Sequence, residues 1–510
     1  MFLTKSDYVQ HYLTCPIHLW LKKHRKEELE EEIDAGLEWI FEQGNLVETQ
    51  ARLLFPGAVL VGGHSVASER QTKKLVQAGK KTLFQATAIA DRLMAMADVL
   101  KFDSRRKQWD IYEVKSSTEV KEDHIHDICF QRTVFRKAGY PIGKVHLVHV
   151  NNTYVRKGKI VPGSLMTAED VTKEADELED EVEANIEKAL AVLDLKDVQS
   201  AKECTCSPKD CPCLPYCYPR LPTYSVFDLN RLRYDNAREL YDSGVRRLTD
   251  IPSDFDGSDA QLCQLKVART GKPIIEKEKI RRALSALKYP LFFLDYETFF
   301  PATPMFDGYR PYQQMVFQYS LHIVPAPDAP LEHKECLVRE LLDPVPVVLK
   351  QLAQDIGPRG SVIVWNKGFE MSRNEEMAHH VPKYAKFLRS VNKRVFDLME
   401  IFRHQHCVHP DFRGSCSIKD VLPVLVPHLS YDNLAIHEGG GASLAWYRMF
   451  GKPKAEQEVA QRNLLEYCKL DTFAMVEIFR FLLALKEEGA NQSATITLTP
   501  KKESKGLPLG

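Results

Sequence analysis

The stretch Leu291-Phe292-Phe293-Leu294-Asp295-Tyr296-Glu297 decides how this chain is read. Its short apolar run, bounded by Pro290 and Pro301, has the composition and length of a buried strand. Side chains alternate across a strand, so Asp295 and Glu297 project on one face, about 7 Å apart along the backbone. Two carboxylates closing an apolar strand are costly unless a positive charge meets them, and a divalent cation does so. Far downstream, Tyr467-Cys468-Lys469-Leu470-Asp471 reads as helix. There the i, i+4 spacing puts the phenol of Tyr467 and the carboxylate of Asp471 on one face.

Acids to hold metal ions and a tyrosine to orient a water suit two-metal phosphodiester hydrolysis. These residues resemble the DEDD exonuclease superfamily in its tyrosine-bearing subclass, which has a ribonuclease-H-like fold. The resemblance makes Asp295 and Glu297 the first motif, Trp365-Asn366-Lys367-Gly368-Phe369-Glu370 the second, and Tyr467 with Asp471 the third. It implies that Asp295, Glu297, Glu370 and Asp471 hold Mg²⁺ or Mn²⁺ and that Tyr467 is catalytic. The second motif departs from the pattern, because Glu370 stands where aspartate is usual and its longer arm moves the carboxylate.

Composition sets the outer limits. A chain of 510 residues is too long for one core, so two or three domains are expected. A net charge of −1 gives no global attraction to nucleic acid. Binding to it must come from local clusters such as Arg70, Lys73, Lys74, Lys80 and Lys81. No apolar run reaches the roughly 18 residues of a membrane span. The N-terminus shows no secretory signal, and the expected location is cytoplasmic.

Five of the twelve cysteines crowd into Cys204, Cys206, Cys211, Cys213 and Cys217. In a reducing compartment such a group is a metal or cluster site rather than a disulfide framework. Interleaved prolines (Pro208, Pro212, Pro215, Pro219) hold it as a knuckle of turns, which suits zinc as well as iron. The segment Tyr12-Leu13-Thr14-Cys15-Pro16-Ile17-His18-Leu19-Trp20 resembles the start of RecB-like nucleases that carry an iron–sulfur cluster, including CRISPR adaptation nucleases of that type. That resemblance implies a [4Fe–4S] cluster on Cys15, Cys206, Cys211 and Cys217. Cys204 is the alternative to Cys206, zinc the alternative metal, and Cys213 is a spare.

Between those cysteines, Ala97-Asp98-Val99-Leu100 and Trp109-Asp110-Ile111-Tyr112-Glu113-Val114-Lys115 read as two strands joined by a charged turn. Glu113 and Lys115 share one face. Asp98 followed by Glu-x-Lys resembles the PD-(D/E)XK nuclease core. In it Asp98 and Glu113 hold Mg²⁺ and Lys115 positions water or stabilises phosphate charge. Gln131 stands where RecB-like members have a catalytic glutamine, and Phe135 replaces the usual tyrosine after it. Glu48, in the helical segment from Glu42, is the expected additional metal-holding acid.

Leu240 to Pro252 reads either as a helix–hairpin–helix-type element touching phosphates through Arg246 and Arg247 or as a plain helical spacer. The acidic run from Glu169 to Glu187 reads as a solvated helix face. His404, His406, Cys407 and His409 read as ordinary loop residues, and Asp397 as a helix cap ahead of a further site acid. There is no Walker loop, so any helicase would be a separate partner.

The order of these regions, with Phe317-Gln318-Tyr319-Ser320-Leu321-His322 and Ser415 to Pro423, resembles a bacterial family of uncharacterised RecB-type nucleases. The expected fold is α/β. It comprises a PD-(D/E)XK restriction-endonuclease-like domain over residues 1–220, a helical spacer over 221–285, a ribonuclease-H-like exonuclease domain over 286–485 and a disordered tail over 486–510. The expected activity is metal-dependent cleavage of nucleic acid, DNA ahead of RNA. The alternatives are a nucleic-acid-binding scaffold with one or both sites inactive and a zinc-stabilised ribonuclease.

Overall fold

A computed structural model describes residues 1–29, 35–201 and 211–487 and shows a mixed α/β protein built on two main sheets. The first sheet takes β1 (Leu3–Thr4), β2 (Val59–Leu60), β3 (Thr82–Ala90), β4 (Leu93–Asp103), β5 (Gln108–Val114), β6 (Ile142–Val150) and β7 (Met166–Asp170). Their order is β2-β3-β4-β5-β6-β7, with β1 parallel to the start of β4. The expected hairpin is β4 and β5, antiparallel from Val99–Tyr112 to Asp103–Gln108. Its turn is held by Asp103, whose carboxylate accepts the Arg105 and Arg106 amides at 2.8 and 3.2 Å. The helix Glu122–Lys137 then crosses over to β6, which runs parallel to β5. From Ile125 to Phe135 every residue of that helix is buried, so Asp127 and Gln131 are fixed by the core around them. The acidic run divides between β7 and the helices Thr172–Glu177 and Glu179–Leu193, the last burying Val182, Ile186, Ala189 and Leu193.

A short pair, β8 (Ile274–Ile275) with β14 (Cys407–Val408), ties the spacer to the second unit. The second sheet takes β9 (Leu291–Phe299), β10 (Met315–Val324), β11 (Glu332–Leu337), β12 (Ser361–Val364) and β13 (Val395–Asp397), in the order β11-β10-β9-β12-β13. β9 is central, antiparallel to β10 and parallel to β12. Burial on both sides explains its unbroken apolar start. The helix Lys454–Glu487 packs across β9 and β10.

The spacer has a small core of its own, formed by Val226, Leu229, Leu248, Ile251 and Leu265. The Arg246 guanidinium lies 3.7 Å from the centre of the Tyr241 ring and donates to the Tyr241 carbonyl, so this arginine is engaged internally instead of facing a phosphate. The expected tail begins where the last helix still continues to Glu487, and residues 488–510 lie outside the described residues.

One helix belongs to both halves. Ala35–Arg52 places Val47 and Ala51 against Val148 and Val150 of the first sheet, while Trp39 enters the core around the second. The Trp39 ring centre lies 5.1 Å from that of Phe299 and 5.8 Å from that of Tyr447. Gln43 accepts the Ala302 amide at 2.6 Å, and Arg448 bonds Glu38 and Glu42 at 2.6 and 3.1 Å.

Candidate active sites

At the N-terminal site the end of β5 delivers Glu113 and Lys115, β4 delivers Asp98, and the crossover helix delivers Gln131. Gln131 Nε2 donates to Glu113 Oε2 at 2.8 Å and to Asp127 Oδ1 at 2.9 Å. Lys115 Nζ bonds Glu113 Oε1 at 3.1 Å and also Asp127. Lys5, at the end of β1, bonds Glu113 and approaches Asp127 Oδ1 at 3.8 Å. Asp98 accepts the Val114 amide at 2.8 Å. Burial and the Glu113 charge push its carboxyl up to about 7. Asp127 moves the other way, because Lys5, Lys115 and the Gln131 amide outweigh its burial and hold it well below the usual carboxylate range.

Two of these residues escaped the sequence reading. Asp127 is one helical turn before Gln131, a spacing that could have flagged it. Lys5 lies 108 residues from Glu113 and has no local signal. Glu48 bonds Arg52 at 2.7 Å and accepts from Gln85 Nε2 at 3.0 Å. Gln85 stands across from Asp98 in the register between Phe84–Val99 and Ala86–Ala97. Glu48 thus reaches the neighbourhood of Asp98 through Gln85, with no direct bond to the other acids.

At the second site β9 presents Asp295 and Glu297 as the alternation requires, and one oxygen from each lies within 4.8 Å of the other and of Cys468 Sγ. Among the described residues this is the only set of three such ligand atoms so close. Cys468 and Asp471 come from the helix Lys454–Glu487, Glu370 from the first turn of the helix Lys367–His380. Asp471 and Glu370 fall outside the tight set but act on it electrostatically, both raising Asp295. Tyr431 donates to Asp471 Oδ1 at 2.6 Å. Tyr467 is buried beside these acids, and its hydroxyl has no partner among the described residues.

All four acids are pushed up. Burial, then Asp471 and Glu297, raises Asp295 well above its ordinary value. Burial, then Asp471, does the same to Glu297. Asp471 rises to about 6 and Glu370 to about 8, each chiefly through burial. Lys419 is the cation that opposes the shifts of Glu297 and Asp471. Glu370 Oε2 is buried without a hydrogen-bond partner. Acids this poorly compensated fit a multivalent cation, because hard oxygen ligands bind only once deprotonated. Tyr431 carries no local signal, whereas Lys419 lies within the Ser415–Pro423 stretch that carries the family resemblance, without having been singled out there as a site residue. Asp397 accepts the Met399 and Lys367 amides at 3.0 and 3.2 Å, but the N-caps of the adjoining helices are Met399 and Asn366, and its charge adds to the rise of Glu370, so it also lies beside the second site as an acid.

The cysteine site is partly visible. Cys15 caps the helix Pro16–His24 and shares a small apolar cluster with Cys213, Cys217 and Cys211. Cys213, expected to be a spare, is hydrogen-bonded to both Cys15 and Cys211, and these contacts raise its thiol while lowering that of Cys15 to about 7. Cys217 is disulfide-bonded. Cys204 and Cys206 also lie outside them. The histidines near Cys407 do not assemble: Cys407 pairs with Ile275 in the short sheet, and His409 accepts the Asp411 amide at 3.1 Å.

Residues 292–417, which span β9 to the loop before the helix Ile418–Leu425, match a family described as "Domain of unknown function (DUF2779)". Curated relatives are similarly uncharacterised. They include the "Uncharacterized protein MG366 homolog" of Mycoplasma pneumoniae, 29% identical over 41% of this chain and 35% of its own length. Another is the "Uncharacterized protein UU173" of Ureaplasma parvum, 26% identical over 40% of this chain and 32% of its own length. The chain therefore spans about a third of the length of the curated relatives it matches. Among the described residues no helix is long and apolar enough to cross a membrane.

Proposed function

We propose that this chain is a metal-dependent nuclease acting on DNA, with a PD-(D/E)XK-type site on the first sheet and a ribonuclease-H-like exonuclease-type site on the second. The observation that carries the reading is the convergence of Asp295 and Glu297 with Cys468, with Asp471 and the Tyr467 phenol buried beside them and each of the three acids held above its normal range. Asp295, Glu297, Glu370 and Asp471 would hold Mg²⁺ or Mn²⁺, which supplies charge neutralisation at the phosphate and an acidified water. Tyr467 would orient that water, and Tyr431 fixes the rotamer of Asp471.

On the first sheet Asp98 and Glu113 are the metal-holding pair. Gln131 ties Glu113 to Asp127 by donating to both, and Lys115 would offer its charge to the phosphate. The grouping of Cys15, Cys211 and Cys213 supports a thiolate-held [4Fe–4S] or zinc centre, with Cys213 entering the ligand set, and Cys217 can join only once its disulfide is reduced. The rival reading, a nucleic-acid-binding scaffold, draws on one feature. Lys5 and Lys115 already neutralise Glu113 and Asp127, which lowers the need for a cation at the first site.

The deciding assay offers end-labelled single- and double-stranded DNA and RNA to the full chain with Mg²⁺ or Mn²⁺. It is repeated with Lys115→Ala, with Asp295→Asn and with both. Loss of cutting in steps, one site per substitution, supports the two-site nuclease. Cutting that survives the double variant overturns it.

A further inference from the structure

A cavity bordering the first site lies at the junction of the two units. It has a volume of about 980 Å³, and Lys115 is part of its wall. From the first unit it takes the loop after β5 (Ser116, Ser117) and Lys121 at the start of the crossover helix. From the second it takes Phe300, Arg310, Tyr312 and Gln313. The two walls meet where the Tyr312 hydroxyl donates to the Ser116 carbonyl. The bridging helix forms the floor with Trp39 and Gln43, and Glu376 closes the far side.

Three of these residues carry buried polar atoms without a partner: Trp39 Nε1, Gln43 Nε2 and Glu376 Oε2. Each of these atoms has almost no accessible surface, so they lie beneath the cavity wall, and the wall an occupant meets is made by the exposed side chains. Lys121 and Arg310 are exposed and stand on opposite walls. Exposed cations beside half-buried aromatic faces and amides are the combination that holds single strands, with phosphates on the charges and bases against the rings. The cavity is at the upper end of the roughly 300–1,000 Å³ range of ligand pockets, room for splayed nucleotides but not for a double helix.

We propose that this junction cavity seats a single-stranded nucleic-acid segment leading to Lys115, so that the second unit supplies half of the binding surface for the first unit's site. The proposal rests on the nuclease reading and deepens it by naming the substrate form. Phosphates lie against Lys121 and Arg310, and an unpaired base lies within reach of Phe300 and Tyr312.

The test measures binding, not cutting. Fluorescently labelled oligothymidylate, single-stranded RNA and a blunt DNA duplex are titrated by anisotropy against the full chain in EDTA. The same is done with Arg310→Glu, Lys121→Glu and the control Lys173→Glu, all three at exposed positions, with unchanged melting temperature required of each variant. Each cavity variant is expected to weaken single-strand binding about tenfold and to reduce the salt slope by about 0.7 per phosphate lost, with the control unchanged. Unchanged affinity in the cavity variants overturns the proposal and leaves the nuclease reading standing if the chain still cuts. Duplex binding that falls as much as single-strand binding also overturns it. A chain that binds no nucleic acid at all overturns the proposal and the nuclease reading together.

Discussion

Lys5 and Lys115 meet the same two carboxylates, yet the structure gives them different surroundings. Lys115 borders the junction cavity, while Lys5 is tied to Glu113 from the short edge strand. In the full chain carrying Asp295→Asn, Lys115→Ala is therefore expected to slow cutting by about 10²–10³-fold, as loss of a positioned charge does. Lys5→Met is expected to keep activity but move its pH–rate profile to higher pH, because Asp127 loses a cation that favours its charged form. A profile that does not move would assign Lys5 to packing alone. At this scale the sequence was informative wherever chemistry and spacing were local. Asp98, Glu113 and Gln131 could be picked out, whereas Lys5 and Tyr431 are brought in by tertiary folding and carry no local mark.

Among the elements, β9 was the most legible, since an apolar run ending in alternating acids can satisfy only one buried register. The helix Lys454–Glu487 was legible for the same reason, its i, i+4 pair facing the strand. These two elements make a graded expectation. Asp295→Asn should abolish activity of the second site, because it removes a metal-holding oxygen. Tyr467→Phe should only reduce it, within the about 10²–10⁴-fold range of a proton-handling or water-orienting group. Equal losses would place Tyr467 among the ligands. Glu370→Asp, which shortens the arm toward the usual motif, should preserve or raise the rate. The cysteine-rich segment stood out in the sequence by its density of thiols, but which of them group together did not, because Cys15 is brought to Cys211 and Cys213 only by tertiary folding. Iron content after anaerobic purification should fall on Cys213→Ser as it does on Cys15→Ser, and brown colour with absorbance near 400 nm, expected at about that wavelength for thiolate-held clusters, should go with it. Colourless protein with one zinc per chain would replace iron by zinc.

For the whole molecule, the raised acids set a pH dependence of stability. Asp471, Asp98 and Glu370 stand at about 6, 7 and 8 in the folded chain, above their unfolded values. Between about pH 4 and 8 the folded state therefore binds more protons than the unfolded state, and stability must fall as pH rises through that window. Metal-free protein is expected to melt several degrees lower at pH 8 than at pH 5, with Mn²⁺ restoring more at pH 8, where the ligands are deprotonated. Glu370→Gln should flatten the upper part of the fall. A melting temperature that climbs steadily from pH 5 to 8 without metal would contradict the burial of these acids as free carboxyls. The division into two sheets with a spacer could be read from the order of motifs. Their mutual packing could not, because an amphipathic pattern shows that a helix face is covered but not by what.

The bridging helix Ala35–Arg52 has a practical corollary for anyone dividing the gene. A fragment starting near residue 221 would lack Trp39, which is 3% exposed and inserted among Phe299 and Tyr447. Truncating such a ring costs about 3–5 kcal/mol. The downstream half should precipitate when produced alone and become soluble when the upstream half is co-expressed from a second plasmid. The pair would then behave as a split protein whose reassembly, scored by co-purification through a tag on either half, reports on that single helix.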